Sequence, residues 1–203
     1  TPEHIAKTVE LCKDITPKPI EKKNMTCISS YTHTVDFANA PILIGERINP
    51  TGKKRLKQAL AERDVAYVLD EGIRQCACGA AVLDVNAGMP GIDEGEVLEL
   101  LVRELQNVVD VPLQIDTSSP EAMERALRIY NGKALINSVS GKQESMELVF
   151  PLGKKYGGTA IALTLDENGI PGTVEGRVEI ARRIVETAKR YGIDRRDIIF
   201  DTL

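Results

Sequence analysis

GAAVLDVNAG, residues 79–88, sets a short apolar run between two glycines and interrupts it with Asp84 and Asn86. A segment apolar at consecutive positions suits a strand covered on both faces, the kind found in parallel sheets. The same construction recurs on either side, in PILIGERIN (41–49), VPLQIDTS (111–118), KALINSVSG (133–141), GTAIALTLD (158–166) and DIIFDTL (197–203). Between these six strands the spacing predicts helices over about 53–79, 93–109, 119–130, 143–156 and 173–191. The first carries Val65, Val68, Leu69, Ile73 and Cys76 at helical intervals. Gly79, Gly132, Gly157 and Gly192 stand just past helix ends, where a left-handed cap is wanted. The chain from residue 41 is therefore a repeated βα pattern.

Each strand ends on polar residues. Glu46 and Asn49 follow the first, Asp84 and Asn86 close the second, Asp116 the third and Asn137 the fourth; Asp166 follows the fifth and Asp201 ends the sixth. Polar groups at the carboxyl ends of parallel strands converge on one place, which in a (β/α)8 barrel is the active-site mouth. A doubly wound sheet would show a Gly-rich turn after its first strand, and no G-x-G-x-x-G occurs. The expected fold is thus α/β, a (β/α)8 TIM barrel truncated after the sixth strand. A complete barrel takes about 250 residues and eight strands, so residues 41–203 are expected to supply strands one to six. The two open edges would then invite self-association. Asp166, in LDENG, reads as a turn residue.

The stretch before residue 41 has a different character. TPEHIAKTVELCKDI (1–15) reads as a helix, with a hydroxyl cap and Pro at its start and Ile5, Val9 and Leu11 as its apolar stripe. TPKPIEKKN (16–24) has the composition of an exposed linker, and MTCISSYTHTVDF (25–37) that of an extended segment. Composition narrows the function. With 26 Lys+Arg against 30 Asp+Glu, the chain of 203 residues carries a net charge of −4, which argues against nucleic acid or an anionic membrane as its partner. No apolar run approaches the roughly 18 residues of a membrane span, and the opening stretch lacks a signal-peptide core, so a cytoplasmic address is expected. Four cysteines are too few for a disulfide scaffold. Cys76 and Cys78, two apart on a helix, face different ways and are expected to be buried small residues, not metal ligands. His4 and His33 lie far from them, and no metal site is expected.

Carboxylates and carboxamides gathered at one mouth suit a neutral ligand rich in N–H donors. A carboxylate accepts two parallel hydrogen bonds from an N–C–N edge, and a carboxamide offers a donor and an acceptor together. The 2-amino-4-oxo ring of a pterin has that edge. Set against this, Asp84 could be structural, Asp116 could cap the helix beginning near Ser119, and Lys53, Lys54 and Arg55 read as a solvated helix start.

IGERINPTGKK, GAAVLDVNAG, VPLQIDTSSPEAMERAL, GKALINSVSG and IIFDTL together resemble the pterin-binding domain of the cobalamin-dependent methionine synthases. That domain is related to dihydropteroate synthase and to the corrinoid methyltetrahydrofolate methyltransferases. The pairing of ERIN with LDVN is the specific part, and TPEHI resembles the stretch that follows the zinc-binding cysteines of the upstream homocysteine-binding barrel. The resemblance implies a division into 1–40, the last helix of a preceding domain plus a linker, and 41–203, the pterin-binding barrel. It implies that Asp116, Asn137 and Asp201 recognise the pterin, with Asn86, Asp84, Glu46 and Asn49 around them and Asn86 the foremost direct contact of these four. It further implies a methyltransferase whose substrate is methyltetrahydrofolate, partnered by a cobalamin-binding domain, with cobalamin and zinc held in other domains of the parent. An asparagine near folate N5 on the seventh strand would lie beyond Leu203, so residues 1–203 alone are expected not to turn over. The alternatives are dihydropteroate synthase, a stand-alone corrinoid methyltransferase, and a non-catalytic pterin-binding or interaction module.

Overall fold

The computed structural model describes residues 1–19 and 24–203, so part of the 16–24 linker reading falls outside the described residues. Six strands form one wholly parallel sheet in sequential order: β3 (Ile44–Ile48), β4 (Val82–Val85), β5 (Leu113–Asp116), β6 (Leu135–Ser140), β7 (Thr159–Leu163) and β8 (Ile198–Asp201). Helices α4 (Glu94–Leu105), α5 (Pro120–Ile129), α6 (Gln143–Tyr156) and α7 (Val174–Arg190) fill the later crossovers as their spacing predicts.

The first crossover differs from its expectation. Instead of one helix over 53–79 there are two, α2 (Lys54–Glu62) and α3 (Val65–Ala77). Arg63 takes the left-handed conformation at φ 54° and ends α2; the Asp64 side chain then accepts the backbone N–H of Tyr67 and caps α3. An aspartate that satisfies an orphan N–H can restart a helix within one uninterrupted apolar stripe, which periodicity alone does not reveal. Cys78, at the end of α3, is exposed and Cys76 only half-buried, contrary to the expectation that both are buried. Ile73 likewise points outward.

Alternation along the strands divides the apolar side chains into two clusters. Leu83, Val85, Leu113, Ile115 and Ile136 pack outward against the helices, in one core that also holds Leu98, Leu101 and Phe150. Val82 and Leu135 belong to a second, smaller cluster with Ile28, all three fully buried, and Ile44, Ile161 and Ile199 border it. These residues stand at the amino-terminal half of the strands and form the floor of the barrel interior.

Ile28 reaches the floor from an antiparallel hairpin, β1 (Cys27–Ser29) and β2 (Thr34–Asp36). The hairpin is tied down by exchange of backbone hydrogen bonds between Ser29 and Lys133 at 2.9 and 3.0 Å, and by the Thr159 hydroxyl, which donates to the Cys27 carbonyl at 3.1 Å. The extended reading of residues 25–37 thus corresponds to a plug under the sheet. Helix α1 (Pro2–Cys12) stands apart, with none of its residues buried.

Candidate functional site at the carboxyl ends of the strands

The inner face changes character one step above the floor. Asp84 on β4 and Gln114 on β5 are register partners and face the barrel interior, 1% and 5% exposed. The Gln114 amide nitrogen donates to Asp84 Oδ1. Asp84 Oδ2 and Gln114 Oε1 are both buried without a hydrogen-bond partner. Burial pushes the Asp84 carboxyl up to about 7; the charges of Asp116 and Glu46 act in the same direction, while Gln114 and Asn137 oppose it.

Above this layer the polar strand ends meet at Asp116. Asn86 donates its side-chain N–H to Asp116 Oδ2 at 2.9 Å, and Asn49 donates to the same oxygen at 3.3 Å. Both amides are preset by local turns, since Asn86 Oδ1 accepts the Gly88 N–H at 2.7 Å and Asn49 Oδ1 accepts the Thr51 N–H at 3.0 Å. Burial raises the Asp116 carboxyl above its ordinary value; the hydrogen bond from Asn86 opposes that, and Glu46 and Glu94 add to it. Asn137 is the register partner of Asp116 on β6, directly beside it, next to an irregularity in the β6–β7 pairing. Such bulges re-aim side chains at barrel rims.

Glu46 lies on β3 at the open side of the sheet and is exposed. A bulge between Gly45 and Ile48 sets its position, and Gln75 of α3 accepts the Arg47 N–H there at 2.8 Å. Glycine suits the approach, because a Cβ on Gly45 would sit 2.6 Å from Gln75 Oε1 and the Gln75 side chain would have to shift. Asp201 ends β8 at the other edge. It is exposed, accepts the Leu203 N–H at 2.8 Å, and makes no described side-chain hydrogen bond to the Asp116 cluster. The structure thus joins Asp116, Asn86 and Asn49 by hydrogen bonds, places Asp84, Asn137 and Glu46 around them, and leaves Asp201 apart.

Asp166 is the turn residue its context predicts, bonded to the Asn168 N–H at 2.9 Å and to Arg183 at 3.0 Å. Asp116 does not cap α5; Ser119 does, accepting the Ala122 N–H at 3.2 Å. Lys53 is half-buried and folds back to donate to the Asn49 carbonyl at 3.0 Å.

Two site residues were missed from sequence. Gln114 lies two before Asp116 on the same strand, so strand parity alone puts it on the inner face. Glu94, in the first turn of α4, receives a hydrogen bond from the Thr117 hydroxyl, and nothing in its local sequence distinguishes it from an ordinary helix-start acid. Beside the Asp116–Asn137 pair opens a cavity of about 390 Å³, whose lining also includes Met123, Leu148, Leu152 and Lys142.

Among proteins of known function, the methylcorrinoid:tetrahydrofolate methyltransferase of Eubacterium limosum is 36% identical over 154 residues, covering 75% of this chain and 56% of that protein. The methionine synthase of Mycobacterium leprae (strain TN) is 30% identical over 217 residues, covering 100% of this chain and 18% of that protein. The chain therefore spans about half the length of the first relative and under a fifth of the second. Among solved structures, Yersinia pestis dihydropteroate synthase with a pterine-sulfa conjugate superposes with a TM-score of 0.65 at 18% identity, over 86% of this chain and 63% of that one. Vibrio fischeri dihydropteroate synthase gives 0.60 at 14% identity, over 86% of this chain and 65% of that one. The six-stranded parallel sheet is accordingly that of a dihydropteroate-synthase-like barrel, and, with residues 45–203 matching the family described as pterin binding enzyme, the chain belongs to that family.

Proposed function

We propose that the mouth formed by β3–β8 binds the pterin ring of methyltetrahydrofolate, and that the parent protein is a methyltransferase that passes the N5-methyl on toward homocysteine. The observation that carries this reading is the Asp116 carboxylate. Two carboxamides occupy its Oδ2, which leaves Oδ1 to accept an N–H from a ring edge. Asn137 beside it supplies a donor and an acceptor, and Asp201 completes the clamp from the far edge once further βα units close the barrel. Asn86 and Asn49 hold Asp116 through its Oδ2, and of Asn86, Asn49, Glu46 and Asp84, which border the ring in this reading, Asn86 is the foremost direct contact.

A corrinoid held by another domain of the parent supplies the acceptor for the methyl group. What this chain contributes is the binding and orientation of the folate. Departure of the methyl from N5 needs a proton or donor at that atom, a role that this reading assigns to none of the residues named above.

The methionine-synthase reading is favoured over a stand-alone corrinoid methyltransferase by coverage. The methionine synthase relative aligns over the whole chain, α1 and hairpin included, whereas the methyltransferase relative aligns over three quarters of it. Residues 1–40 then link the barrel 41–203 to an upstream homocysteine-binding domain, where the parent's zinc would lie, with α1 as that domain's last helix. No described helix is long and apolar enough to cross a membrane, and we place the parent in the cytoplasm. The test is calorimetric titration of methyltetrahydrofolate into the full-length protein. Asn137→Ala should weaken binding by about 10- to 100-fold, the value of one or two buried ring contacts; unchanged affinity would remove Asn137 from the site, and no heat with the wild type would sink the folate reading.

A further inference from the structure

Among the described residues three buried side-chain polar atoms lack a hydrogen-bond partner, and two of them, on Asp84 and Gln114, belong to the two halves of one contact. Gln114 donates its amide N–H to Asp84 Oδ1, while Gln114 Oε1 and Asp84 Oδ2 are left over. Both leftovers are acceptors if Asp84 is ionised, and two buried acceptors cannot satisfy one another. A carboxyl group and a carboxamide have the same spacing between their two polar atoms, so a proton on Oδ2 lets them close a ring of two hydrogen bonds.

We propose that Asp84 is a positioning residue that carries a proton on Oδ2 and donates it to Gln114 Oε1, leaving Asp116 as the ionised carboxylate at the inner mouth. The charged groups facing Asp84 are Glu46 from β3 and Asp116 from β5, both acidic; the polar neutral groups are Gln114 from β5 and Asn137 from β6. The helices behind β4 pack on its other face, through Leu83 and Val85. Close carboxylates do not both ionise easily, and here environment decides which one yields. Asp84 has almost no solvent contact and an oxygen, Oδ2, without a partner, while Asp116 is only partly buried and has two amide donors on one oxygen. Division of two acids into a neutral and a charged member is a general way of assigning separate roles at one site. The consequence for ligand binding rests on the folate reading above; the protonated pair itself does not.

The experiment compares full-length wild type, Asp84→Asn and Asp84→Ala. Asn can form the same two-bond ring with Gln114 without titrating, so Asp84→Asn should fold as the wild type does, whereas Asp84→Ala should lower the denaturation midpoint. Without ligand, the infrared difference between wild type and Asp84→Asn should show a protonated carboxylic acid at pH 6 that disappears as pH rises past neutral. With methyltetrahydrofolate, wild-type affinity should fall by about tenfold for each pH unit above the titration, at most, while Asp84→Asn should hold its affinity within about twofold over the same range. Absence of the acid band at pH 6, or Asp84→Asn unfolding as readily as Asp84→Ala, would overturn the protonated pair. The acid band with parallel pH profiles for wild type and Asp84→Asn would overturn the positioning role. Failure of folate to bind either protein at any pH, with the band present, would overturn the folate reading and with it the role in binding, and leave the pair standing.

Discussion

The floor and the mouth of this barrel are built from the same strands, two or three residues apart, and they are opposites. At the floor Val82 and Leu135 close on Ile28, and all three are fully buried. One turn of the pleat higher, the same inner face presents Asp84, Gln114, Asp116 and Asn137. The floor gains free energy by removing apolar surface from water. The mouth loses free energy by burying carboxylates near one another, and its hydrogen bonds recover only part of that loss. Stability at the amino-terminal end and chemistry at the carboxyl-terminal end is the division expected of a barrel sheet. The hairpin supplies the floor, because Ile28 fills the space that the sheet's own side chains leave open.

The comparison can be broken most sharply at the floor. Ile28→Ala should destabilise the barrel by about 3 kcal/mol through lost burial and a residual cavity, and leave folate affinity of the folded fraction unchanged. A denaturant titration paired with calorimetry checks both halves; loss of affinity equal to a mouth mutation would mean that floor and mouth are not separable.

A smaller effect sharpens the mouth side. Asp84 and Asp116 both have carboxyls raised above the ordinary carboxylate value, Asp84 to about 7. The folded state then holds protons that the unfolded chain releases near pH 4. The stabilisation from the protonated form is fully present below that pH and is lost as pH rises through about 7. Per proton the slope is about 1.4 kcal/mol for each pH unit. Denaturation midpoints measured from pH 4 to 8 should fall with pH in the wild type and fall less steeply in Asp84→Asn; a rise over this range would contradict the sign.

The smallest effect belongs to α1. Ile5, Val9, Leu11 and Ile15 are 63–67% exposed, so Val9→Ser should change barrel stability by less than about 0.5 kcal/mol. A shift as large as that of Ile28→Ala would show that α1 packs on the barrel in solution.

Much of the site was legible because strand ends in a parallel sheet announce themselves. Asp84, Asn86, Asp116 and Asn137 each close an apolar run, and the fold brings all four to one place. Gln114 is legible in principle from parity, but it sits inside a run and not at its end, so no strand-end signal marks it. Glu94 had no local signal, since an acid in a helix's first turn is common for reasons of the helix dipole. The break at Arg63 was hidden because α2 and α3 share one apolar periodicity, and only the Asp64 cap divides it.

By itself the sequence determined the repeating βα order, the parallel sheet and the set of polar strand ends, because hydrophobic periodicity and glycine punctuation act over a few residues and are written locally. The tertiary structure alone decided which acids share a space. It placed Asp84 against Gln114 and under Asp116, kept Asp201 apart on the far edge, and turned residues 27–36 into the plug beneath Val82 and Leu135. Those outcomes depend on which strands become neighbours and how their registers align. Register is a property of pairs of segments, and no single segment contains it.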